Sequence, residues 1–139
     1  MPGLSPSPSR AAALVLVADR DPVVRELVEH FLLVAGFHVE FVLDGSSALA
    51  RAQELRPDVV LTEVMLPRLD GLTLCRRLRS DPATCGVPVV VFSVLAAAER
   101  AREAGAAAFL LKPLAERQLV DTIRGVLESP PMIRPEASA

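Results

Sequence analysis

The chain has 139 residues and a formal net charge of −2, and 51% of its residues are hydrophobic. This length suits one domain, and the hydrophobic content excludes a disordered chain. The nearly neutral charge argues against nucleic acid or an anionic membrane surface as the main partner. No apolar run reaches the roughly 20 residues needed to span a bilayer.

The predicted elements alternate between strands and helices. Residues 1–10 are rich in Pro and Ser and predict a flexible leader, followed by one domain over 11–128 and a Pro-rich tail or linker stub over 129–139. Within the domain, short and nearly continuous apolar runs predict five strands that are buried on both faces. These runs cover 14–17, 39–43, 59–61, 87–92 and 107–111.

Apolar residues at helical spacing predict a helix after each strand. Asp21-Pro22 supplies an N-cap and a first-turn proline, and Asp44 and Asp70 are further N-cap candidates. The fourth helix, in the alanine-rich stretch 96–104, is predicted to be short. Strands that alternate with helices form right-handed βαβ units, so the fold class is α/β with a doubly wound parallel sheet.

Four polar residues lie at the carboxyl ends of four predicted strands: Asp19, Glu63, Ser93 and Lys112. In an open parallel sheet these ends line one crevice, where doubly wound folds bind ligands. Lys112 is the only lysine in the chain, and its compact ammonium suits contact with a phosphoryl oxygen or a carboxylate. The sequence therefore predicts a charged pocket at this edge.

These residues, in this order and spacing, resemble the receiver domains of response regulators over roughly residues 13–128. The family carries two acids after strand one, an aspartate phosphoacceptor after strand three, Thr or Ser after strand four, and Lys-Pro after strand five. The matching positions here are Asp19-Arg20, Glu63, Ser93 and Lys112-Pro113, with Phe109 at the aromatic switch position and Gly105-Ala106 before strand five.

The resemblance implies a five-stranded, flavodoxin-like fold with strand order 2-1-3-4-5 and three α/β/α layers. It also implies a role in phosphorelay (two-component) signal transduction. In the family, Mg²⁺ is held by the second acid, the acceptor and a backbone carbonyl, which here belongs to Met65. The lysine contacts the phosphoryl oxygens, and the hydroxyl receives the phosphoryl group after transfer.

Two residues depart from this pattern. Glu63 replaces the acceptor aspartate and moves its carboxylate by about one C–C bond length, roughly 1.5 Å. Arg20 replaces an oxygen ligand with a permanent cation, although Mg²⁺ needs oxygen ligands. Asp19 and Glu63 then balance Arg20 and Lys112 without a metal ion.

We therefore predict an atypical pseudo-receiver with weak or absent Mg²⁺-dependent phosphorylation, no catalytic residue and no cofactor. Arg20 is expected to pair with a carboxylate and to fill the space of the metal, and Glu63 to imitate in part a charged acceptor. An ion, if bound, would be held by Asp19, Glu63 and the Met65 carbonyl.

The sequence leaves two alternatives open and disfavours a third. Arg20 could point to solvent, with Asp21 in place of the missing acid. The chain could be a conventional phosphoacceptor that uses Glu63 or another pocket group. An enzyme on the same fold is disfavoured, because the sequence has no Gly-rich phosphate loop and no nucleophile elbow.

The expected partners are proteins: a histidine kinase, a phosphotransfer protein or an output protein, with a homodimer as a further option. The short fourth helix puts in doubt the family's use of that face for partners. Cys75 and Cys85 lack metal-ligand spacing and fit a reducing cytoplasm.

Overall fold

The fold is described from a computed structural model, which describes residues 12–128. The predicted leader (1–10), residue 11 and the predicted tail (129–139) lie outside the described residues. Five strands and five helices alternate along the described chain. In chain order these are β1 Leu14–Ala18, α1 Pro22–Val34, β2 His38–Val42, α2 Gly45–Leu55, β3 Val59–Glu63, α3 Gly71–Ser80, β4 Val89–Ser93, α4 Ala98–Glu103, β5 Ala108–Leu111 and α5 Glu116–Glu128.

All neighbouring strands are parallel, and their order is β2-β1-β3-β4-β5. The predicted α/β class, strand order and doubly wound topology are thus confirmed. The strand order reverses beside β1, so the loops after β1 and β3 diverge and leave a crevice between them.

Aspartate caps start three of the helices, as predicted. The Asp21 carboxylate accepts a hydrogen bond from the Val23 amide, with Pro22 in the first turn of α1. Asp44 caps α2 and Asp70 caps α3 in the same way. These caps satisfy amide groups that a helix N-terminus otherwise leaves unpaired. Helix α4 has only six residues and no side-chain cap, which confirms the predicted short fourth helix.

Seven of the ten strand boundaries differ from the predicted apolar runs by one or two residues, and two of the strand starts show why. Strand β2 begins at His38, whose amide donates to the Ala13 carbonyl at 2.9 Å. Strand β4 begins at Val89, because the amide of Val87 is used by a turn and donates to the Thr84 carbonyl at 2.9 Å. Hydrogen bonding, which the apolar pattern does not report, decides where these strands begin.

The sheet separates two hydrophobic cores, and successive strand residues alternate between them. Leu16, Val60 and Val91 belong to the core that includes residues of α2, α3 and α4. Val15, Val59 and Phe92 belong to the core that includes residues of α1 and α5. Burial on both faces explains why the strands read as continuous apolar runs.

Candidate functional site

The predicted polar residues meet at the carboxyl edge of the sheet. Asp19 follows β1, Glu63 and Ser93 are the last residues of β3 and β4, and Lys112 follows β5. The first three are buried, and Lys112 is nearly so. Four separate strands deliver these groups to one place, so the site exists only in the folded sheet.

Lys112 links the two carboxylates. Its Nζ donates to Asp19 Oδ2 at 2.9 Å and lies 2.7 Å from Glu63 Oε1. The ammonium also lies 4.7 Å from the centre of the Phe92 ring, within the range of a cation–π contact. The Lys112–Pro113 peptide bond is cis. Lys112 is therefore the ion-pair partner of both buried carboxylates.

Backbone amides hold the other two carboxylate oxygens. Asp19 Oδ1 accepts from the Asp21 amide at 2.8 Å, and Glu63 Oε2 accepts from the Met65 amide at 3.0 Å. Each of the four oxygens thus has a donor from the chain itself. Charge-assisted bonds of this kind are about twice as strong as neutral ones.

The pKa of Glu63 lies below its ordinary value. Burial alone would raise this pKa, but the Lys112 ammonium, the nearby Ser93 hydroxyl and the Met65 amide together outweigh burial. The Ser93 Oγ also accepts a hydrogen bond of 3.2 Å from the Leu95 amide. The Glu63 side chain is accordingly ionised at neutral pH.

The pKa of Lys112 lies above its ordinary value. Burial works to lower it, but hydrogen bonds and charge attraction to Glu63 and Asp19 prevail. The ammonium is therefore permanently charged under physiological conditions. Opposite shifts at Lys112 and Glu63 are what a buried ion pair produces.

Arg20 does not take the position expected from the sequence. It lines the mouth of the pocket but is exposed, and within residues 12–128 it forms no ion pair with Asp19 or Glu63. The prediction of an Arg20–carboxylate pair was wrong. Lys112 pairs with both acids instead, and its single positive charge offsets one of their two negative charges. Asp19 is buried, whereas Arg20, at the bend that follows β1, is exposed.

Asp21 is committed to capping. Its Oδ1 accepts from the Val23 amide at 2.9 Å, although the residue also lines the pocket. Phe109, at the predicted switch position, is partly buried and packs against the core beneath α3 and α4. Ser93 is fully buried at the end of β4.

The pocket encloses about 480 Å³ and is lined by Asp19, Arg20, Asp21, Glu63, Met65, Leu66, Pro67, Val94 and Lys112. Within residues 12–128, no three His, Cys, Asp or Glu side chains converge as a metal site does. The oxygens of Asp19 and Glu63 already accept from Lys112 and from amides, and Arg20 also lines the pocket. This donor set does not fit the family's Mg²⁺ ion, which needs several oxygen ligands.

Sequence reasoning missed two glycines that shape the site. A Cβ on Gly71 would lie 2.0 Å from the Glu63 carbonyl oxygen, and one on Gly45 would lie 1.8 Å from that of Leu69. Each glycine follows a capping aspartate, so the Asp-Gly pairs were interpreted only as helix starts. The signal was present as a glycine in a helical first turn, where it usually has a packing reason.

A family model described as the response regulator receiver domain matches residues 15–124. A curated relative, the DNA-binding dual master transcriptional regulator RpaA of Synechocystis, is 34% identical over 116 residues. That match covers 81% of this chain and 48% of the relative. The chain thus spans about half the length of this relative.

Solved structures agree with this match. The chemotaxis response regulator CheY4 of Vibrio cholerae is 30% identical with a TM-score of 0.77, covering 83% of this chain and 98% of that one. The receiver domain of sensor histidine kinase PA1611 from Pseudomonas aeruginosa is 27% identical with a TM-score of 0.79, covering 85% and 99%. The latter structure has a magnesium ion coordinated in its active-site cleft.

Proposed function

The chain belongs to the response-regulator receiver family of two-component signalling, and from that premise we propose an atypical receiver that signals by binding proteins. Magnesium-dependent phosphorylation is weak or absent in this proposal. The domain has no catalytic residue and acts in the cytoplasm.

The double contact of Lys112 carries the proposal. The lysine forms ion pairs with Asp19 and Glu63, at 2.9 and 2.7 Å, and occupies one oxygen of each carboxylate. A phosphoryl group would have to displace this pairing, and a cation would have to compete with it. Phosphoryl transfer depends mainly on positioning and on charge stabilisation by the metal, and both are altered here.

Glu63 also supports a fixed signalling state. Its carboxylate extends about one C–C bond, roughly 1.5 Å, beyond that of an aspartate and meets Lys112 with Ser93 nearby. A charged oxygen beyond the usual acceptor position, in contact with the lysine, imitates part of what phosphorylation supplies. Partners would then read a pocket that is permanently charged.

An apolar groove beside the pocket supplies a docking surface. It encloses about 330 Å³, shares Asp21, Val94 and Lys112 with the pocket, and adds apolar residues of α1 and of the segment after β5. Leu27 on α1 is 43% exposed there. The occupant we propose is a helix of a sensor kinase or phosphotransfer protein, which would lie directly beside the charged pocket.

Titration with millimolar Mg²⁺, followed by the amide NMR signals of Met65 and Lys112, tests the proposal. We expect no saturable shift in the natural chain. The double variant Arg20→Asp/Glu63→Asp, which restores the family's acids, is the matched control and should show saturable shifts.

A saturable shift in the natural chain, comparable to that of the double variant, would contradict the proposal. Titration with a monovalent salt at equal ionic strength separates binding from screening of surface charges.

A further inference from the structure

We infer that Gly45, which lies on α2 outside the pocket, is a positioning residue for the Glu63 carboxylate. It acts through the segment between β3 and α3, residues 64–70, which we name the β3–α3 loop. The inference concerns the pocket of the proposed function, but it holds whether or not Glu63 accepts a phosphoryl group.

The β3–α3 loop is hydrogen-bonded to the Glu63 side chain. The Met65 amide donates to Glu63 Oε2 at 3.0 Å and so fixes the oxygen that Lys112 does not contact. The orientation of this amide depends on the path of the loop. The Val64 carbonyl holds the loop in this path, because it accepts hydrogen bonds from the Leu66 amide at 3.1 Å and from the Gly71 amide at 2.8 Å.

The β3–α3 loop is also hydrogen-bonded to α2. The Gly45 amide donates to the Pro67 carbonyl at 3.1 Å, and the same carbonyl accepts from the Leu69 amide at 2.8 Å. Beside this contact, Arg68 Nε lies 3.9 Å from Asp44 Oδ2. The first turn of α2 is thereby hydrogen-bonded to the middle of the loop.

There is no space for a side chain at Gly45. A Cβ there would lie 1.8 Å from the Leu69 carbonyl oxygen, whereas ordinary contact requires 3.4 to 4 Å. The obstacle is backbone, which cannot rotate away as the end of a flexible side chain can. Arg68 already has a φ of 72°, in the left-handed region, so the loop has little freedom to adjust.

An alanine at position 45 must therefore push the loop away from α2. The displacement would turn or move the Met65 amide and lengthen its bond to Glu63. Only the lack of a side chain at Gly45 lets α2 hold the loop where this bond forms.

Gly45→Ala tests the inference, with Gly125→Ala as the matched control because a Cβ there meets nothing within 4 Å. The readouts at neutral pH are hydrogen exchange of the Met65 amide and the carboxyl ¹³C shift of Glu63. We expect Met65 to exchange at least about tenfold faster relative to the central strand amides of Leu16 and Val91, together with a shifted Glu63 signal. No phosphodonor or metal is used, so the outcome is independent of the proposed function.

Equal acceleration at all amides, or no change at Met65 and Glu63, would overturn the inference. If Gly45→Ala does not fold, Gly45→Ala/Arg68→Gly is used, with Arg68→Gly alone as its control. Glycine tolerates the positive φ at position 68 and allows the loop to move aside. Failure of both variants to fold would also overturn the inference, because Gly45 would then be required by the fold as a whole.

Discussion

Lys112 is the only lysine among 15 basic residues, and it forms ion pairs with both buried carboxylates of the pocket. Its removal leaves two acids without a counter-ion, in a place that water reaches poorly. Breaking a buried pair is costly for this reason, even where the intact pair adds little net stability.

Lys112→Met should therefore lower the free energy of unfolding by roughly 3 kcal/mol at neutral pH. Methionine keeps an unbranched stem and removes the charge. Urea denaturation followed by far-ultraviolet circular dichroism measures the loss, since the chain has no Trp or Tyr. The control is Arg51→Ala, which breaks two partly exposed surface pairs and should cost less than about 1 kcal/mol. Equal losses in the two variants would contradict the account.

The same pair makes stability depend on pH. The pKa of Glu63 is lowered in the folded state from an ordinary value of 4.5, so its contribution is complete above that value. The contribution is lost as pH falls through the folded-state pKa. In Lys112→Met the pKa of Glu63 is no longer lowered by the ammonium, so the two proteins should converge in stability on acidification. Urea curves between about pH 7 and about pH 3 measure this convergence, and a constant difference would contradict it.

Residue types at strand ends predicted which groups meet in the pocket, because the carboxyl ends of parallel strands share one edge. They did not predict which cation pairs with the acids. Arg20 and Lys112 carry equal charge, and the choice depends on side-chain direction just after β1, where Asp19 is buried and Arg20 is exposed. That direction follows from backbone geometry beyond the end of the strand, which composition does not encode.

Among the elements, α3 begins with a cap and with a hydrogen bond to the loop that borders the pocket. Its N-cap, Asp70, accepts from the Thr73 amide at 2.9 Å and from the Thr73 hydroxyl at 2.8 Å. The next residue, Gly71, donates to the Val64 carbonyl at 2.8 Å. The start of this helix therefore also fixes the end of the β3–α3 loop.

Asp70→Ala should lower the free energy of unfolding by about 1 kcal/mol through loss of the cap. Glu29→Ala on the exposed face of α1 serves as the control and should change it by less than about 0.5 kcal/mol. Urea denaturation of both variants measures the difference. Equal stability of the two variants would show that the cap adds nothing to α3.

The caps and the short α4 were predictable because they depend on local sequence. The boundaries of β2 and β4 were not, because they depend on hydrogen bonds to distant backbone. The close approach of α2 to the β3–α3 loop was likewise hidden, since it joins Gly45 to a carbonyl at Leu69 across two elements.

Considered as a whole, the molecule holds its charged pocket at the carboxyl edge of the sheet that separates the two hydrophobic cores. The bond from Lys112 to Asp19 joins residues 93 positions apart, so it forms only when the sheet from β1 to β5 is complete. None of the helices formed by residues 12–128 is long and apolar enough to cross a membrane. The receiver fold is retained, and Lys112 pairs with both carboxylates at its charged edge.

Incubation of the protein with a small-molecule phosphodonor and Mg²⁺, followed by intact mass spectrometry, tests this account most directly. We predict no stable gain of a phosphate in the natural chain, with Arg20→Asp/Glu63→Asp treated identically as the positive control. A gain of one phosphate in the natural chain, mapped to Glu63 or to another pocket residue, would contradict it.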